Sequence, residues 1–201
     1  RSVYGATQKE VRQKLAQAVA ALDNGTYTTP NKVTVSQWME EWLTTFCAGK
    51  VKPLTYRSYE GIIKNHIVPV VGAIELQAVK GTQVQRLYNT MTKAGISGKT
   101  VKNVSAVLHK ALSVAVKQGI IPANPCDAAE LPKVERHEIA PLTDKEIPLF
   151  LAAIEDSPMR NAYALCLFAG LREGECLGLS WKQVDFERGQ LTISQQLQRE
   201  K

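Results

Sequence analysis

No run of apolar residues in this chain approaches the length needed to cross a bilayer, and no signal-peptide pattern opens it. These absences argue against membrane and secreted classes and lead us to expect a cytoplasmic protein. Cysteine is scarce. Cys47, Cys126, Cys166 and Cys176 show no CxxC or Cys/His spacing, so reduced, partly buried thiols are expected rather than a zinc ribbon. The three histidines, His66, His109 and His137, lie far apart without metal-like companions, and no metal site is expected. There is no glycine loop of the Walker type and no convincing Ser/His/Asp arrangement. Neither a metal site nor a Walker-type nucleotide site is therefore expected. Aromatics make up only 6% of 201 residues, yet a hydrophobic content of 44% is enough for packed cores.

What is present is positive charge, unevenly placed. Residues 1–33 hold five Lys/Arg against two Asp/Glu, a balance of +3. Residues 34–133 hold twelve against six, or +6, and residues 134–201 hold eight against eleven, or −3. A basic front joined to a mildly acidic remainder points to nucleic-acid contact by the front part.

Apolar spacing predicts mostly helix. Residues 7–22 carry Val11, Leu15, Val19 and Leu22 at helical intervals, with Thr7 and Glu10 as a capping box and Asn24-Gly25 as the stop. Residues 27–33 read as a connector. Residues 34–46 place Trp38, Trp42 and Phe46 on one core-facing side. The stretch 50–53, ending in Pro53, breaks the pattern, residues 55–66 form the next helix, and Pro69 and Gly72 stop it. Helices at 82–93 and 97–118, closed by Gly95 and Gly119, complete a small bundle over 34–132. Prolines 122, 125, 132 and 141 punctuate the following stretch, and 133–141 reads as a linker. The last unit, 142–201, starts at Thr143 with Glu146 in capping-box position. Further helices are expected at 159–168 and 172–179, and a strand at 190–194. A lone strand is not a stable sheet, so this unit reads as cut short.

On the 97–118 helix, Lys99, Lys110 and Lys117 fall within about 20° of one another, with Lys102 about 60° away. The apolar Val101, Val104, Leu108, Ala111, Leu112 and Ala115 take the other side. No acidic residue interrupts the stripe. Lys52, Thr55, Arg57 and Lys64 add a second basic helix opposed only by Glu60. Two such helices can straddle a duplex through phosphate contacts; a solvated lysine face is the plainer alternative.

The sequence AGLREGECLGLSW, residues 169–181, sets Arg172 just past a glycine break with Glu175 three residues on. A guanidinium so placed can grip phosphate through parallel hydrogen bonds, and Glu175 can orient it or support its backbone. A surface Arg–Glu pair after a turn remains the bland reading of these residues alone.

Taken in order, LTYRSY (54–59), HIVPVVG (66–72), GIIPANP (119–125) and the box at 170–179 resemble the tyrosine recombinases, or phage integrases. Integrases of conjugative transposons and Gram-positive phages are the nearest in kind. The resemblance implies a mainly α protein: a helical core-binding domain at 34–132, then the start of a mixed α+β catalytic domain at 142–201. Residues 1–26 are similar to the tail of an arm-site DNA-binding domain, with 2–5 as its last strand.

The resemblance further implies a tyrosine that attacks a DNA phosphodiester and forms a 3′-phosphotyrosyl bond. Arginines, a lysine and histidines stabilise the phosphorane, and no cofactor is needed. Arg172 matches the first catalytic arginine and Glu175 the acidic residue after it. In the family the remaining catalytic groups follow this box. Here all six tyrosines (Tyr4, Tyr27, Tyr56, Tyr59, Tyr88 and Tyr163) precede Arg172, and the sequence ends about thirty residues after it. Lys201 stands at a conceivable offset for the hairpin lysine but reads as a strand end. The expectation is therefore an inactive piece of an active parent. Its implied partners are duplex DNA, further copies in a tetramer on DNA, and an excisionase-type directionality factor. A non-catalytic DNA-binding module and a helical regulator with a basic face remain as rivals.

Overall fold

Helix α1, Gln8–Asp23, opens the computed structural model, which describes residues 6–23, 31–134 and 140–198. The Thr7 hydroxyl accepts from the Glu10 N–H at 3.3 Å. Glu10 takes its own backbone bond from Ala6, one residue earlier than the expected box, and pairs with Lys14 at 2.7 Å. Leu15 and Val19 are about half exposed, so the expected apolar stripe is not a packed face. The expected strand at 2–5 and the Asn24-Gly25 stop lie outside the described residues.

The chain divides into two compact units, Arg1–Arg136 and His137–Lys201. In the first, α2 spans Val35–Glu41. Thr34 and Gln37 cap it reciprocally: the Thr34 hydroxyl accepts from the Gln37 N–H, and the Gln37 carbonyl oxygen accepts from the Thr34 N–H. The N–H groups of Val35 and Ser36 find the carbonyls of Ile74 and Gly72, so the start of the helix leaves few bare donors. A π-helical stretch, Trp42–Cys47, continues it.

The break expected at 50–53 is found at 48–52, and Pro53 begins α3 (Pro53–Ile62), whose first turn needs no donor there. The next stretch corrects one sequence expectation: Pro69 does not stop the helical path. A π-helical turn, Ile63–Ile67, comes first, and the Val68 N–H reaches back five residues to Ile63. That wider turn accommodates the proline ring and its missing donor, and α4 (Val68–Val71) follows.

Helices α5 (Gly81–Lys93) and α6 (Gly98–Lys117) complete the bundle. The Ser97 hydroxyl caps α6 by accepting from the Thr100 N–H. All six apolar α6 residues named above are buried, with Val107 beside them. Helix α6 packs on α3, on α5 and on the 3-10 turn Pro125–Ala128. Trp38 and Trp42 are each 1% exposed, and the Trp38 indole donates to the Ala111 carbonyl at 3.0 Å. Tyr88 donates to Ser105, and burial pushes its phenol up to about 12, so it stays neutral at physiological pH.

The Gln85 side chain holds the chain as it leaves this unit. It accepts from the Glu130 N–H at 2.7 Å and donates to the Glu130 carbonyl at 3.2 Å. The boundary between units falls at 136/137, inside the proline- and charge-rich stretch read as a linker. Limited proteolysis without a ligand is therefore expected to cut first between residues 135 and 141. First cuts inside α6 would contradict this division.

The second unit contains α7 (Glu146–Ala153), α8 (Arg160–Ala169) and α9 (Glu173–Leu177). A hairpin pairs β1 (Val184–Asp185) antiparallel with β2 (Gln190–Leu191). Only half of the expected box at Thr143 forms: its N–H and hydroxyl both donate to Glu146, and α7 starts at Glu146 itself. The expected strand at 190–194 shortens to two residues, since it meets only a two-residue partner. Burial separates the units sharply. Ile154 is the one apolar residue of this unit below a tenth exposed among those described, while Leu149, Phe168, Trp181 and Phe186 are each at least 70% exposed.

Candidate functional site

The basic candidates occupy two packed helices of the first unit. Lys52 is the N-cap of α3, Thr55 and Arg57 lie in its first turns, and Lys64 follows in the π turn. Lys99, Lys102, Lys110 and Lys117 lie along α6, all exposed, on a helix without a single carboxylate. Lys52, Arg57 and Lys64 are exposed as well, whereas Thr55 is half-buried.

One member of the stripe is tied to the neighbouring helix. The Lys110 ammonium lies 5.4 Å from the centre of the Tyr59 ring and 3.5 Å from its hydroxyl. Tyr59 in turn stacks on Trp42, with ring centres 5.6 Å apart. Lys50 has a similar seat, 5.9 Å from the centre of Phe46. Sequence reasoning gave no role to Tyr59 or Lys50. Their partners lie on other elements or around a π turn, which helical spacing does not reveal.

Of the histidines, His109 bridges to Asp127 at 2.9 Å and approaches the Ser113 hydroxyl at 3.4 Å. Asn124 donates to both the Ser113 hydroxyl and the His109 carbonyl, so this cluster fastens the Asn-Pro turn to α6. No group of three or more His, Cys, Asp or Glu fit to hold a metal is found among the described residues. No helix among them is long and apolar enough to cross a membrane.

The arginine box is built on a left-handed turn. Gly170 ends α8 at φ +65°, a conformation that favours glycine. Arg172 then becomes the N-cap of α9 in extended backbone, φ −72° and ψ 151°. Its N–H donates to one Glu175 oxygen at 3.0 Å and its guanidinium to the other at 2.8 Å. Guanidinium has no acceptor, so the reciprocal half of a capping box cannot form. The Arg172 side chain remains 83% exposed, against 19% for Glu175. The Arg172 backbone N–H first, and its guanidinium second, hold the Glu175 carboxyl below the usual carboxylate range. A lowered folded value means the tether is complete above the ordinary carboxylate pKa. It is lost only as pH falls through the lowered one, so it persists at neutral pH.

The glycines of the box also have a role that sequence reading missed. A Cβ on Gly174 would come within 2.7 Å of the Leu197 carbonyl, and one on Gly178 within 2.9 Å of the Leu197 nitrogen. Residues 195–197 run directly against α9 there, with the Leu197 N–H donating to the Gly174 carbonyl. Lys201 itself lies outside the described residues.

Residues 34–92, from the cap of α2 to the end of α5, match the family model described as phage integrase, N-terminal SAM-like domain. Over 202 residues the chain is 30% identical to a XerC-like tyrosine recombinase of Caldanaerobacter subterraneus subsp. tengcongensis, covering 96% of this chain and 51% of that protein. It is 27% identical to the ICEBs1 integrase of Bacillus subtilis, over 69% of this chain and 38% of that one. The Tn1549 transposon integrase, solved in complex with circular intermediate DNA, is similar at 26% identity and a TM-score of 0.73, over 84% of this chain and 56% of its own. The chain belongs to the tyrosine recombinase (phage integrase) family. The lambda integrase tetramer bound to a Holliday junction, 22% identical with a TM-score of 0.69, shares the fold.

This recombinase-family chain spans about half the length of the first of those relatives and 38% of the second. Its mainly helical architecture is that of the family. The lysines of α6 and the cations in and around α3 belong to the unit with the well-packed core, and Arg172 to the unit with little burial.

Proposed function

We propose that the protein is a site-specific DNA integrase whose helical unit grips duplex core sites through α3 and α6. Arg172 is then the first arginine of its strand-cleavage centre. The apolar side of α6 is buried in the core, and its four lysines are exposed on the outside, where a polyanion can meet them. The observation that carries the reading is the acid-free row of exposed lysines on α6, with Lys52, Arg57 and Lys64 in and around the neighbouring α3.

The chemistry follows from charge. A tyrosine oxygen attacks the phosphorus, a 3′-phosphotyrosyl bond forms and the 5′ oxygen leaves with a proton. Arg172 neutralises the charge building on the non-bridging oxygens, pre-aimed by Glu175. All six tyrosines of the present sequence precede Arg172; in this reading the nucleophile belongs to the half of the relatives' length that the chain does not span. Rejoining reverses the attack without an external energy source. Assembly as a tetramer on DNA, response to an excisionase-type factor and a cytoplasmic location belong to the same proposal.

Charge reversal tests it. Lys99→Glu with Lys102→Glu is expected to weaken binding to a core-site duplex by about a hundredfold at low salt and to flatten the salt dependence. Helicity should not change, because both side chains are exposed. Undiminished binding by this double variant would remove the assigned face.

A further inference from the structure

Two ammonium groups in the first unit rest on aromatic rings rather than against carboxylates. Lys110 sits over Tyr59 and Lys50 over Phe46. Among the described residues neither lysine takes part in a salt bridge. Both rings are anchored. Tyr59 stacks on Trp42, and the Phe46 ring centre lies 6.1 Å from that of Trp38; each tryptophan is 1% exposed. The seats thus continue into the core and cannot drift with solvent.

Both seats are built on one element: Phe46 lies in the π-helical stretch Trp42–Cys47, and Tyr59 stacks on Trp42 of the same stretch. Burial pushes the Cys47 thiol at the end of that stretch up, and Lys110 and Lys50 both pull it the other way. The two lysines come from different elements, one from α6 and one from the turn after the π stretch. In that turn the Lys50 N–H donates back to the Cys47 carbonyl. Convergence of this kind is a property of the packing rather than of a single helix face.

We propose that Lys50 and Lys110 form a subsite for the phosphodiester backbone of duplex DNA, with Tyr59 and Phe46 as positioning residues. The proposal rests on the duplex-binding reading above. A free lysine loses rotamer freedom when it grips a phosphate; a lysine already seated on a ring has lost part of that freedom beforehand. The ring face occupies one side of the ammonium and leaves donors directed outward.

The test is fluorescence anisotropy of a labelled mixed-sequence duplex titrated with the 201-residue chain at several salt concentrations. Lys50→Gln and Lys110→Gln are each expected to weaken binding about threefold to tenfold and to lower the salt slope by about one. Tyr59→Leu should weaken binding about threefold when Lys110 is present and have no effect in the Lys110→Gln background. Tyr59→Phe, which keeps the ring, should retain most of the affinity. Tyr59→Leu losses of equal size in both backgrounds would reduce Tyr59 to a structural role and overturn its assignment. Unchanged slopes for both lysine variants would overturn the subsite. If the parent chain binds duplex and Lys99→Glu/Lys102→Glu abolishes that binding while the two glutamine variants do nothing, only this inference fails. No salt-sensitive binding by the parent would instead overturn the duplex-binding reading itself.

Discussion

Arg172→Ala, in a protein that carries the whole catalytic domain, is expected to lower strand cleavage by about 10²- to 10³-fold. Duplex affinity should change little, since the lysines assigned to phosphate contact lie in the other unit. The size of the loss follows from geometry. The Arg172 side chain is 83% exposed, while Glu175 accepts from both its guanidinium and its backbone N–H. A charge partner held this way needs no reorganisation when the phosphorane forms. Arg172→Lys should recover only part of the rate, because an ammonium cannot make two parallel hydrogen bonds. A suicide substrate that traps the covalent adduct at a nick measures this directly. The polypeptide of residues 1–201 should yield no adduct in the same assay. Tyr88 is buried with its phenol raised to about 12, and Tyr163, in the arginine's own unit, packs edge-on against Phe150. Adduct formation by this polypeptide, or full cleavage by Arg172→Ala, would sink the assignment.

Trp38→Ala should destabilise the helical unit by about 3–5 kcal/mol. Trp38 is 1% exposed, lies against Phe46 and donates to the Ala111 carbonyl in the middle of α6. Its removal opens a cavity between α2 and the longest helix of the unit. Domain stabilities are typically about 5–15 kcal/mol, so this one change can consume much of the total. Trp38→Phe keeps most of the volume and should cost about 1–2 kcal/mol, mainly from the lost indole hydrogen bond. Urea unfolding followed by far-ultraviolet circular dichroism compares the three proteins. A midpoint for Trp38→Ala close to that of the parent would contradict the central placement of this residue.

Local signals carried the sequence reading furthest. Helix α6 was expected over 97–118 and spans Gly98–Lys117, because a serine cap, an uninterrupted apolar stripe and Gly119 mark it within the sequence itself. The Arg172–Glu175 pairing was legible for the same reason: residues three apart around a helix start are neighbours. Features set by tertiary packing were not legible. The π turn Ile63–Ile67 packs on α6 with Ile63 and Ile67 buried, and Pro69 follows it without ending the helical path. The seating of Lys110 on Tyr59 joins residues 51 positions apart. The strand at 190–194 looked regular by composition, but strand length is fixed by pairing, and only Val184–Asp185 pairs with it.

The three tryptophans divide between the units in a way that makes them natural optical labels. Trp38 and Trp42 are sealed in the first unit, while Trp181 stands 82% exposed in the second, stacked on Phe186. Emission from the sealed pair is shielded from a dissolved quencher such as iodide, and emission from Trp181 is open to it. The quenchable fraction of the fluorescence therefore reports on the arginine-bearing unit and the shielded fraction on the lysine-bearing one. The two halves of a single chain can be followed separately in one cuvette without an attached dye.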